Sequence, residues 1–174
     1  MIKSTDLLSI DTIIKIAHDL KKQGKRIGFT HGSFDLFHYG HLYLLRESAK
    51  KCDFLVVGVE SDKNIARYKN YSRPIIEEKR RFEIVNELDC VNAAFISNVE
   101  VGRDMYIDFG RELGVDVLTA GARYGAEDMI RYEADRMRAK LTRIMQTFES
   151  TTKIVDRIIA AHTKDFPRFK QLRS

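Results

Sequence analysis

The sequence predicts an α/β fold, a single domain built on a parallel sheet of five strands with helices on both faces. Three observations predict it. The chain has 174 residues, one domain's worth and enough to bury a real core. Strand and helix patterns alternate from end to end, with no internal repeat, low-complexity tract or linker. The strand candidates are short apolar runs separated by helices, an order that returns each strand parallel to the one before.

Taken in order, residues 11–23 place Ile13, Ile14, Ala17 and Leu20 at helical spacing, with Ser9 or Asp11 as cap and Gly24 as stop. "RIGFT" (26–30) reads as the first strand, 40–51 as a helix, and "DFLVVGVES" (53–61) as the second strand and the clearest of the five. The polar stretch 62–73 reads as a loop with at most one helical turn. Pro74 then opens a helix over 74–88, where a missing N–H costs nothing. The alternation continues with a strand over 91–97, a helix over 102–113, and a strand over 115–121 that ends at Gly121. A helix over 126–140, a strand over 141–148 and a helix over 150–162 capped by Ser150 complete the domain 1–162, leaving 163–174 as a tail.

Net charge is +5 with a sequence pI near 9.2, a balance that suits either nucleic acid or small anionic substrates. The basic residues Arg131, Arg136, Arg138, Lys140 and Arg143 are interleaved with Glu133 and Asp135, the pattern of a solvated helix face. The N-terminus lacks the continuous apolar core of a signal peptide, and no stretch nears the roughly 20 apolar residues of a membrane span. With two cysteines, Cys52 and Cys90, both read as buried small hydrophobes, the expected compartment is the cytoplasm.

The chemistry concentrates in "HGSFDLFHYGH" (31–41), which begins where the first strand ends. Ligands of open α/β sheets bind beyond the carboxyl ends of the strands, at the point where strand order reverses. Gly32 permits a tight, left-handed turn after the strand, and Asp35 can order the loop by accepting backbone hydrogen bonds. His38 and His41 flank Tyr39 and Gly40 at a helix start, where backbone N–H groups and the helix dipole favour an anion. Gly40 leaves a phosphate room to approach, and two imidazoles can donate to oxygens whose charge grows during phosphoryl-type transfer. Zinc is the competing reading, but no further ligand cluster accompanies the histidines.

"GSFDLFHYGH" resembles the G-x-F-D-x-x-H-x-G-H signature of the cytidylyltransferase-like nucleotidyltransferases. The lead-in "GKRIGFTHGSFD", the segment "KNYSRPIIEEKR" and the terminal "STTKIVDRI" match further family motifs in order, so the resemblance spans nearly the whole chain. It implies a Rossmann-like fold and transfer of a nucleoside monophosphate from a nucleoside triphosphate to a small phosphorylated acceptor, with magnesium accompanying the nucleotide. It further implies no ligand site for nucleic acid or membrane, and a homodimer. By the same resemblance His38, His41 and Lys69 are catalytic, holding phosphate oxygens. Thr30, Gly32, Ser33, Phe34, Asp35, Gly40, Gly121, Ser150, Thr151 and Thr152 would line the nucleotide site, and Arg73, Arg80 and Arg123 the acceptor site. No metal ligand is expected from protein side chains. Glycerol-phosphate and choline-phosphate cytidylyltransferases carry an arginine where Met145 falls. The "FE" before "STT" and the "SRP" run resemble instead the heptose-phosphate adenylyltransferases, although Arg123 stands where those carry an acidic residue. Adenylyl transfer to a sugar or polyol phosphate is therefore the reading, with cytidylyl transfer as the alternative. A reading from another class is a nucleotide- or RNA-binding module using the basic helix and the tail.

Overall fold

A computed structural model describes residues 8–68, 73–97, 104–121, 127–145 and 150–165. Five strands, β1 (Ile27–Gly32), β2 (Phe54–Glu60), β3 (Ala93–Ser97), β4 (Val117–Gly121) and β5 (Lys140–Ile144), form one wholly parallel sheet in the order β3-β2-β1-β4-β5. Around it stand α1 (Ile10–Lys22), α2 (Tyr39–Ala49), α3 (Asp62–Tyr68), α4 (Glu78–Asn86), α5 (Asp104–Leu113), α6 (Glu127–Met137) and α7 (Thr151–Asp165).

The alternation of side chains along β1 divides the interior into two cores. Ile27 and Phe29 join Phe95, Tyr106, Phe109, Leu118 and Met137 on the face covered by α1, α5 and α6. On the other face Leu44 and Leu45 of α2 and Phe82 and Val85 of α4 cover Leu55, Val57 and Val59. Ser9 is the residue that caps α1, its hydroxyl accepting from Thr12 N at 3.2 Å, and Gly24 ends the turn beyond it at φ +76°.

The sheet splits at its centre. β1 pairs with β2 along its whole length, from Ile27 to Gly32, but pairs with β4 only at Gly28 and Phe29. Past Phe29↔Leu118 the pairing of the two strands stops, at the reversal of strand order where a crevice is expected between them. One side chain reaches across its floor. Thr119 Oγ1 donates to Ser48 Oγ at 2.7 Å, and Ser48 Oγ donates in turn to Leu44 O at 2.7 Å, so α2 is tied to β4 through a buried pair.

Several sequence expectations are corrected. The stretch after β2 forms a true helix, α3, because Ser61 caps it (Asn64 N to Ser61 Oγ, 3.3 Å) and Ile65 is fully buried. The helix expected from Pro74 starts only at Glu78, since the amides of Ile75 and Ile76 donate elsewhere. The helix expected to end at 162 continues to Asp165, into the expected tail. Cys52 and Cys90 are half-buried rather than buried; burial pushes the Cys52 thiol up to about 11, which keeps it protonated and unreactive. The solvated helix face holds only in part. Arg131 and Arg136 are exposed on α6, but Lys140 and Arg143 belong to β5 and Glu133 is buried at 3%. Arg131 and Arg143 both pair with Glu127, at 3.0 and 3.3 Å. Among the described residues no helix is long and apolar enough to cross a membrane.

Because the Thr119–Ser48 pair is buried, Ser48→Ala should lower stability by about 1–3 kcal/mol. Ser48→Ala combined with Thr119→Val should cost less than the sum of the single changes. Denaturant unfolding of the four proteins of the cycle checks both statements.

Candidate active site

The loop from Gly32 to His38 carries β1 into α2, and its backbone is unusual. Gly32 does not supply the left-handed residue expected of it. Phe34 and Leu36 do, at φ +49° and +48°, conformations that non-glycine residues adopt only when their surroundings enforce them. A Cβ at Gly32 would make only ordinary contact, 3.6 Å from the Phe34 ring.

What enforces the loop is a set of buried polar contacts. The Asp35 side chain is 1% exposed and faces the segment before α4. Its carboxylate accepts from Arg73 Nη1 at 2.9 Å and from the amides of Ile75 and Ile76 at 3.1 and 3.0 Å. Asp35 does order a loop, but a neighbouring one rather than its own. Burial raises its pKa, and the Ile76 and Ile75 amides with Arg73 more than offset that, leaving it below the ordinary carboxylate value.

A second clamp lies beneath. The Arg81 guanidinium, 0% exposed, donates to the carbonyls of Ser33, of Glu60 at 2.7 Å and of Ile76 at 2.7 Å, and to Asp62 Oδ1 at 2.7 Å. Arg80, the position expected in the acceptor site, is exposed on α4. The arginine that reaches the β1–α2 loop is its neighbour Arg81, which the sequence reading passed over.

α2 begins with the histidine pair. His38 caps the helix through its ring, Nδ1 accepting from Gly40 N at 3.0 Å, so the proton of the neutral ring sits on Nε2. His41 N and Leu42 N donate to His38 O. The helix-start amides of residues 40–42 are therefore engaged within the protein. The two rings stack at 3.9 Å between centroids, and His41 packs edge-on to Phe34 at 5.5 Å and beside Phe37 at 5.5 Å. Gly40 is buried at this turn.

The last motif docks onto the same loop. Thr151 Oγ1 donates to Asp35 O at 3.2 Å, and Ser150 caps α7 by accepting from Lys153 N at 3.2 Å. Thr152 is exposed one residue further on. Gly121 ends β4 across the crevice, where a Cβ would meet nothing closer than Leu44 at 4.0 Å. The other expected residues divide. Ser33 and Phe34 are buried within the loop, and Thr30 on β1 is 0% exposed. Lys69 and Arg123 lie outside the described residues.

Stretches far apart in sequence thus meet around one loop at the mouth of the sheet. The family model described as cytidylyltransferase-like matches residues 29–167, and the chain belongs to that family. It is 35% identical over 150 residues to the bifunctional protein HldE of Helicobacter pylori, covering 85% of this chain and 31% of that protein. With the bifunctional protein HldE of Citrifermentans bemidjiense it shares 31% identity over 152 residues, covering 84% of this chain and 30% of that protein. The chain spans about a third of the length of these curated relatives. Two solved structures share the fold. A lipopolysaccharide core biosynthesis protein from Thermoplasma volcanium superposes with a TM-score of 0.57 at 23% identity, covering 73% of this chain and 100% of that one. A pantoate-beta-alanine ligase from Francisella tularensis gives 0.56 at 16% identity, with 81% and 66% covered.

The depressed pKa of Asp35 fixes the sign of a pH effect. Its contribution to stability is complete above the unfolded-state value of about 3.9 and disappears as pH falls through the lower folded value. Asp35→Ala should cost on the order of 3 kcal/mol at neutral pH, and the gap to wild type should narrow below about pH 4. Urea unfolding across pH measures both.

Proposed function

We propose that the protein transfers AMP from ATP to the phosphate of a small phosphorylated sugar or polyol, releasing pyrophosphate and giving an activated precursor for cell-surface polysaccharide or lipid synthesis. The observation that carries the reading is the Thr151–Asp35 contact, which brings the start of α7 and its serine and threonine hydroxyls to the loop that bears the histidines. A triphosphate lying over that loop would meet imidazole donors from α2 and the hydroxyls of Ser150 and Thr152, the Thr151 proton being committed to Asp35 O. An acceptor phosphate oxygen attacks the α-phosphorus in line, the bond from that phosphorus to the β-phosphate bridge breaks, and pyrophosphate leaves with the electron pair. No covalent enzyme intermediate is involved, so the protein's part is positioning and stabilisation of developing charge. The Nε2–H of His38 and the imidazole of His41, held against it by stacking, serve that purpose. Arg73, fixed at the rim by Asp35, supplies positive charge toward the acceptor.

Magnesium would neutralise triphosphate charge and orient it. Among the described residues no group of histidine, cysteine, aspartate and glutamate side chains could hold a metal ion, and the Asp35 carboxylate is already occupied by three donors. The ion would arrive on the nucleotide, held by phosphate oxygens and water. Relatedness to the HldE proteins, with the resemblance of "SRP" and "FESTT" to heptose-phosphate adenylyltransferases, supports AMP and a sugar phosphate. Cytidylyl transfer is the second reading, favoured by the description of the family itself.

Pyrophosphate release, measured with each of the four ribonucleoside triphosphates against a panel of sugar and polyol phosphates, tests the proposal. Turnover with ATP and a sugar phosphate is the expected result. Turnover with CTP alone would shift the reading to cytidylyl transfer, and no turnover alongside tight RNA binding would overturn it. His41→Ala should lower kcat by about 10²-fold or more while changing the KM for nucleotide far less, because a donor to the moving charge acts mainly in the transition state.

A further inference from the structure

Of the three histidines in the 31–41 stretch, the phosphate site uses two. His31 belongs to the end of β1 beyond its pairing with β4 and faces away from α2, into the side of the sheet covered by α5 and α6. Its Nε2 donates to Glu133 Oε2 of α6 at 2.9 Å, with side chains 13% and 3% exposed. The ring lies flat on Tyr106 of α5, with centroids 3.9 Å apart and planes 14° from parallel. Tyr106 is held in turn, its phenol oxygen accepting from Ser97 Oγ at 3.0 Å at the end of β3. His31 Nδ1 is buried with no hydrogen-bond partner among the described residues, so the ring has a single polar anchor, Glu133.

That anchor lies on the far side of the crevice. Beyond Phe29 the backbone of β1 is bonded to β2 alone, with His31 opposite Gly58, and the ladder to β4 has stopped. Glu133 belongs to α6, which packs on α5 and β5 and follows β4 in the chain. The His31–Glu133 bond therefore joins the two halves of the sheet where the backbone no longer does. The residues that follow His31 are Gly32 to Asp35, the start of the phosphate loop. A buried carboxylate is costly to keep unless a donor meets it. Its placement here, one residue before the site, ties that cost to the loop.

We propose that His31 is a positioning residue for nucleotidyl transfer. Through its bond to Glu133 and its stack on Tyr106 it sets the width of the crevice, and so the distance between the β1–α2 loop and the α6 side of the site. The inference rests on the nucleotidyl-transfer reading. It explains why the residue that follows Ile27 and Phe29 on this face of β1 is a histidine rather than another apolar residue: an apolar side chain would fill the space but could not hold α6 by a directed bond.

The test separates holding from filling. His31→Phe keeps the stack and loses the donor, whereas His31→Gln loses the stack and retains a donor at similar reach. Pairing His31→Phe with Glu133→Leu removes the stranded carboxylate, so that protein folds even where the single variant does not. If the bond positions the loop, kcat falls about ten- to hundredfold in the double variant, with nucleotide KM within about twofold and thermal stability near wild type. His31→Gln then recovers most of the lost turnover. Wild-type kcat in the double variant would overturn the proposal and leave the pair a packing feature. Amide hydrogen exchange over residues 32–36 gives a readout that does not depend on turnover. Faster exchange in the double variant, restored in His31→Gln, supports the clasp, and unchanged protection overturns it. Absence of pyrophosphate release in the wild type would instead sink the nucleotidyl-transfer reading, while the exchange result still decides the clasp.

Discussion

A fully buried guanidinium needs acceptors for its N–H groups, and at Arg81 the described residues supply four for its five, three of them backbone carbonyls. The carbonyls of Ser33, Glu60 and Ile76 come from the ends of two adjacent strands and from the approach to α4. Asp62, at the start of α3, completes the set. An arginine there can be satisfied in only one arrangement of those segments, because its donors are fixed in a rigid fork. The β1–α2 loop, the α3 start and the α4 approach are thereby set relative to one another before any ligand is present. Asp35 repeats the logic one layer higher with the charge reversed, binding Arg73 and two amides.

These two clamps make the site a property of the loops' shared interior. The histidines stand on α2, but the angle at which they are presented depends on the strand end and the loop that lead into the helix. That loop is tied on one side to the α4 approach, and on the other to α7 through Thr151. The pairing of β1 with β4 stops short of the strand ends, and side-chain bonds at Thr119 and His31 replace the missing ladder on the sheet's two faces. Rigidity beneath a crevice is what catalysis by positioning requires, since small displacements of a charged group cost more there than in a site that works by covalent chemistry.

Much of this was legible in the sequence. The five strands and most of the helices follow from runs such as "FLVVGVE" and from the spacing in α1, and the histidine stretch sits where strand order reverses. What was not legible depends on contacts distant in sequence. Arg81 looks like any solvated charge next to Arg80, because its partners are carbonyls, which leave no trace in side-chain patterns. α3 rests on one buried residue, Ile65, in a polar run too short to show a period. Pro74 suggested a helix start, but the amides next to it go to Asp35, a partner 40 residues away. His38 spends its Nδ1 on capping its own helix, a role that serine or aspartate more often fills.

Phe34 and Leu36 hold left-handed backbone conformations that glycine would adopt without strain. Each costs on the order of 1 kcal/mol in a chain whose whole stability is a small multiple of that. The site is thus built against the local preference of its own residues, and the unbound loop is already under tension. A chain selected only for thermal endurance would relax both positions to glycine. Phe34 resists such drift because its ring packs against His41, so the side chain that makes the backbone costly is also the one that keeps the imidazole in place.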